Sequence, residues 1–136
     1  MAVPLELTPE ERALMADPRF AEAVGLFNTG QWYACHDGFE ALWHETAGSM
    51  RPVLQGILQL AVAQLHRERG NRRGATVLMG EGLGRLKQAD AVALGLDLAL
   101  LRTAASAHLL ALQASPTDPS EDAGLPPLTL LAVEDG

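Results

Sequence analysis

The run Trp32-Tyr33-Ala34-Cys35-His36-Asp37-Gly38-Phe39-Glu40-Ala41-Leu42-Trp43-His44-Glu45 decides how this chain folds, together with Leu54-Gln55-Gly56-Ile57-Leu58-Gln59-Leu60-Ala61-Val62-Ala63-Gln64-Leu65-His66 just downstream. The first run predicts a helix over 31–45. The second, with Pro52 in its first turn, predicts a helix from about Met50 to Arg69. Its apolar residues cover most of the circumference, as they do in a central, largely enclosed helix. Ala47-Gly48-Ser49-Met50 is too short a connection for anything but antiparallel neighbours.

Polar and ionisable residues sit on helix faces that should be apolar, and burying them costs free energy unless they are paired. At 100° per residue, His36, Glu40 and Trp43 fall within about 60° of one another, and Gln55, Gln59, Val62 and His66 share a similar arc. Counting back from the turn sets Trp43 level with Leu54 or Gln55 and Glu40 with Leu58 or Gln59. His36 then lies near Val62 and His66. The expectation is a pocket between the two helices made by His36, Glu40, Trp43, Gln55, Gln59 and His66.

Three chemistries fit such a cluster. His36 and Glu40 with His66 offer three N/O ligands and an open water position to a divalent metal such as zinc. Without metal, Glu40 tuned by burial and His36 as its partner could do acid/base work. The third is a buried network in which Glu40 orients His36, the glutamine amides satisfy the remainder, and helix register is fixed. His44 reads as a boundary residue, with a His36/Glu40/His44 ladder as the alternative. Trp32 and Trp43 read as core pillars, and His108 as a surface residue. Cys35 points about 100° from His36, which argues against a Cys–His nucleophile pair.

Outward from this centre, Thr8-Pro9-Glu10-Glu11 carries an N-cap, a proline at N1 and first-turn acids. Asp17-Pro18 restarts a helix that runs through Phe20, Val24 and Phe27 to a stop at Gly30. Gly70-Asn71 closes the central helix. A fifth helix follows through Ala75, Leu78, Leu83 and Leu86, where Gly74, Gly80, Gly82 and Gly84 predict either close packing or fraying. Asp97 caps a last helix from Leu98 to about Gln113, and no strand signal stands out. The helix-Gly-helix joints at Gly30 and Gly70 have the flavour of tetratricopeptide hairpins, although their spacing of 40 differs from the roughly 34 of that repeat.

The chain has 136 residues, enough for one self-supporting core. All six aromatic residues fall between positions 20 and 43. A single cysteine excludes an internal disulfide or a Cys-rich zinc site. The net charge of −7 argues against a dedicated nucleic-acid binder, although Arg67, Arg69, Arg72, Arg73, Arg85 and Lys87 form a basic edge. Neither a secretory signal nor a membrane-length apolar run is expected, which points to a soluble cytoplasmic protein.

Phe27-Asn28-x-Gly30-x-Trp32-Tyr33-x-Cys35-His36-Asp37-x-x-Glu40-x-Leu42-Trp43, then Leu54-Gln55-Gly56-x-x-Gln59-x-Ala61-x-Ala63-x-x-His66 and Gly70-Asn71-x-x-Gly74-Ala75, resembles the small prokaryotic domain-of-unknown-function family 309. The resemblance covers roughly residues 20–90 and implies an all-helical bundle without supplying an activity. Its motif falls on His36, Glu40, Trp43, Gln55, Gln59, His66, Gly70 and Asn71. The family usually has Glu where this chain has Ala34 and Asp37, a branched apolar residue at Gly38, and a basic or longer residue at His44.

The reading is therefore an all-α antiparallel bundle of about five to six helices. Residues 1–115 form its single domain and 116–136 a Pro/Asp-rich tail, of which Leu128 to Val133 could dock on the body. The His/Glu/Gln pocket is expected to take a small ligand or protein partner. The alternatives are a metal-dependent hydrolase and an interaction or dimerisation module, with homo-oligomers left open.

Overall fold

A computed structural model of the chain describes residues 6–114 and 124–133. Among these, six helices and one short hairpin follow in order: α1 (Pro9–Ala16), α2 (Pro18–Asn28), α3 (Trp32–Glu45), α4 (Arg51–Glu68), α5 (Arg72–Leu86), β1 (Val92–Ala93), β2 (Leu96–Asp97) and α6 (Leu98–Gln113). The protein is an all-α multi-helix bundle.

The helix ends follow from local chemistry. Thr8 Oγ1 accepts from the Glu11 N–H and Glu11 Oε1 accepts from the Thr8 N–H, both at 3.1 Å, closing a capping box on α1. The second Glu11 oxygen accepts from the Leu94 N–H at 2.7 Å, which ties α1 to the hairpin turn. Asp17 ends α1 and caps α2. The Arg19 side chain and backbone N–H both donate to it and hold its carboxyl below the usual carboxylate range. The same guanidinium reaches Glu45 at the end of α3. Gly30 and Gly70 carry φ of 73° and 77° after α2 and α4, a left-handed stop that glycine adopts without a Cβ clash.

Helix α4 is the axis of the bundle, packed against both α3 and α5. Val53, Leu54, Ile57, Leu58, Leu60, Ala61 and Ala63 are all buried along it. Phe20 meets Phe39 edge-to-face at 6.4 Å, and Phe27 meets Trp32 at 5.1 Å, so the aromatic cluster of the sequence closes the α2–α3 side. The glycines of α5 do not break it. Gly82 lies so close to α4 that a Cβ there would stand 2.8 Å from the Gly56 carbonyl oxygen. Close packing is thus the outcome at that position.

The hairpin was not legible in the sequence. β1 and β2 pair antiparallel through a two-residue turn in which Leu94 (φ 54°) and Gly95 (φ 67°) are both left-handed. Leu94 holds this uncommon conformation with its side chain buried and its N–H bonded to Glu11. Beyond α6, residues 124–133 lie on the body as a strap, with Leu128 and Leu130 buried. The tail expected after Ser115 therefore docks in this part, while residues 115–123 lie outside the described ones.

Candidate functional site on helix α3

Helix α3 starts after the Gly30 joint and presents Cys35, Phe39 and Leu42 to the core. The residues opposite them reach the surface. His36 Nε2 lies 2.7 Å from Glu40 Oε2, and His44 Nε2 lies 3.4 Å from Glu40 Oε1. His36 Nδ1 is 3.3 Å from Asp37 Oδ1. The three side chains of the ladder are 27%, 41% and 61% exposed in the order His36, Glu40, His44, so all are reachable from solvent. The exposed Tyr33 ring stands 6.4 Å from the His36 ring, one turn earlier. Of the two readings left open for His44, the ladder is the one observed.

Trp43 borders this stripe. The Arg51 guanidinium carbon sits 4.1 Å from its ring centre, a cation–π contact, and Arg51 Nη1 donates to the carbonyls of Trp43 (2.9 Å) and Thr46 (3.0 Å). Arg51 thereby caps the end of α3, adding a second donor to the Trp43 carbonyl, which also accepts from the Thr46 N–H at 3.2 Å. The His44 ring is 4.8 Å from the indole. The indole N–H of Trp43 is buried without an acceptor among the described residues.

The remaining candidates are engaged elsewhere. Gln59 Oε1 accepts from Arg85 Nε at 2.9 Å, and Gln59 Nε2 donates to Glu81 at 3.0 Å, so this amide links α4 to α5. His66 stands at the α4–α5 joint, 3.1 Å from Asn71 Nδ2. Asn71 Oδ1 already accepts from the Gly74 N–H at 2.9 Å, so its amide nitrogen can only donate to His66 Nδ1. A neutral His66 then carries its proton on Nε2. Gln55 is half-buried on α4. Among the described residues, the ionic partners of His36 and Glu40 all belong to α3 itself. The two polar stripes are not joined to each other there.

Metal-holding geometry is not among these contacts. No three His, Cys, Asp or Glu side chains group as a metal site among the described residues. His66 could ligate through Nε2 only by giving up the proton that the Asn71 cap places there. A cavity of about 680 Å³ lies elsewhere, between Thr8, Met50, Val53, Asp90 and Val92. A smaller one of about 330 Å³, in the α2–α3 groove beside Arg19, Ala34 and Gly38, includes Asp37.

His108 corrects a sequence expectation. It is buried rather than at the surface, with Nδ1 2.9 Å from Arg67 Nη1 and Nε2 2.7 Å from the Pro126 carbonyl oxygen. Its partners come from α4 and the strap, so nothing near it in sequence announced them. Cys35 is fully buried, and burial pushes its thiol up to about 12. A neutral, enclosed thiol is a poor nucleophile. Titration with a thiol-reactive dye at mildly alkaline pH should leave the native chain unlabelled and the denatured chain fully labelled. Prompt native labelling would contradict the packing of α3.

No helix of the described residues is long and apolar enough to cross a membrane. Fold and site together define a multi-helix bundle with a histidine–carboxylate ladder on one surface helix. Residues 20–78, which take in most of α2, all of α3 and α4 and the first half of α5, match the family model of the domain of unknown function DUF309. No curated protein matches the chain.

Proposed function

We propose that the chain is a binding protein whose recognition surface is the stripe Tyr33, His36, Glu40 and His44 with Trp43 at its edge, taking a small polar ligand or a partner of similar chemistry. One observation carries this reading. The ladder is half-exposed and confined to one helix, where such pairs add only about 0.2–0.5 kcal/mol each to stability. A register-fixing role would need partners on α4, and the hydrogen bonds of Gln59 and His66 are directed to α5 and to Asn71. Two imidazoles around one carboxylate, with an aromatic ring at each end, offer donors, acceptors and stacking surface on one face.

The hydrolase alternative has less support, because His66 is committed to Asn71 through the nitrogen opposite its proton. The interaction-module alternative draws on the Gly30 and Gly70 joints, which give two helical hairpins of similar construction.

A thermal-shift panel of polar metabolites and divalent metal salts tests the reading. Ligands that raise the melting temperature of the wild-type chain should lose that effect in Glu40→Ala and in His36→Ala. Shifts that survive both substitutions would overturn it. Stabilisation by zinc or manganese alone, abolished by His66→Ala, would favour the hydrolase instead.

A further inference from the structure

The strap is held by its backbone hydrogen bonds and by two buried leucines. Asn28 at the end of α2 receives Leu130 on both sides: its Nδ2 donates to the Leu130 carbonyl at 2.9 Å, and its Oδ1 accepts from the Leu130 N–H at 2.7 Å. This carboxamide reproduces the paired bonds of a neighbouring β-strand. The Asp97 N–H donates to the Leu131 carbonyl and the Val133 N–H to the Gly95 carbonyl, both at 2.8 Å, and Leu96 bridges Ala132 antiparallel. His108 Nε2 meets the Pro126 carbonyl. Leu128 and Leu130, two apart as an extended strand requires, are the residues of the strap that send buried side chains into the body.

We propose that this groove is an intermolecular docking site whose occupant in trans is the 126–133 segment of a second copy of the chain, exchanged for the one bound in cis. Every contact just described is available unchanged to the identical segment of a neighbour, which makes segment exchange a low-cost route to a dimer. The nine residues 115–123, which include Pro116 and Pro119, join the strap to the body and can span up to roughly 30 Å. The cis segment competes at the effective concentration of a short tether, of millimolar order. Exchange is therefore favoured by crowding many copies together or by anything that loosens the cis strap. None of these contacts involves the α3 surface.

Two full-length variants separate groove from segment. Leu128→Asp with Leu130→Asp spoils the segment and leaves the groove, while Asn28→Ala spoils the groove and leaves the segment. Each should sediment as a monomer at micromolar concentration, and their mixture should form a one-to-one dimer. Two folded variants that fail to associate would overturn the proposal. An unrelated peptide with alternating leucines that binds the first variant as tightly as a 124–133 peptide would overturn it too, since the groove would then read any apolar strand. If the double aspartate variant does not fold, the wild-type chain refolded at millimolar concentration decides. A dimer of mixed isotope-labelled and unlabelled chains that shows Asn28–Leu130 contacts between copies supports exchange, and a monomer, or a dimer without those contacts, contradicts it.

Discussion

Replacing Phe39 by alanine is expected to cost about 3–5 kcal/mol, the range for removing a buried aromatic side chain. Phe39 is fully buried on α3 and meets the ring of Phe20 edge-to-face. Its loss removes apolar burial and the ring pair together, and leaves a cavity on the side where α2 and α3 close. Since small domains are stable by only about 5–15 kcal/mol, the variant should sit near the edge of folding. Equilibrium denaturant titration reads the loss directly. A change below about 1 kcal/mol would mean that this side of the core is looser than its geometry.

Gly82→Ala should also destabilise, by about 1–3 kcal/mol, against the local trend of the helix. An alanine normally favours a helix over glycine by about 1 kcal/mol. At Gly82 the added Cβ meets the Gly56 carbonyl oxygen at 2.8 Å and the Leu60 side chain at 3.0 Å, so α4 and α5 must separate. Backbone cannot turn aside as a flexible side chain can. Gly84, two residues on, is exposed, and a Cβ added there would meet nothing within 4 Å. Gly84→Ala should stabilise by about 0.5–1 kcal/mol. The two substitutions are chemically identical and differ only in the neighbouring helix. Thermal melts that moved both in the same direction would contradict the α4–α5 approach.

These effects show which parts of the molecule the sequence could carry. Helix boundaries were legible because their signals are local: Thr8 with Glu11, Asp17 before Pro18, Asp97 before Leu98, and the stops at Gly30 and Gly70. The enclosed character of α4 was legible from its apolar breadth. The direction of its polar residues was not. A helical wheel puts Gln55, Gln59 and His66 on one arc without saying which neighbour that arc meets. The Gly56–Gly82 contact sets α5 against the turn that carries Gln59, and Gln59 follows it to Arg85 and Glu81.

The partners of His108 and of the strap were hidden for a different reason. Their bonds join residues far apart in sequence, such as Asn28 with Leu130, and no spacing rule reaches that distance. The β-turn at Leu94-Gly95 escaped because leucine rarely takes a left-handed φ, and its support comes from Glu11 on α1. The ladder of α3 was legible at i, i+4 spacing. Its exposure was not, because an amphipathic wheel does not tell a buried polar arc from a solvated one.

The central claim is that His36 and Glu40 serve recognition and contribute little to folding. Denaturant unfolding of His36→Ala and Glu40→Ala beside the wild-type chain tests it most directly. Both variants should keep the wild-type stability to within about 0.5 kcal/mol, the scale of exposed i, i+4 pairs. A loss of about 3–5 kcal/mol in either would reveal a buried, coupled pair and contradict the claim.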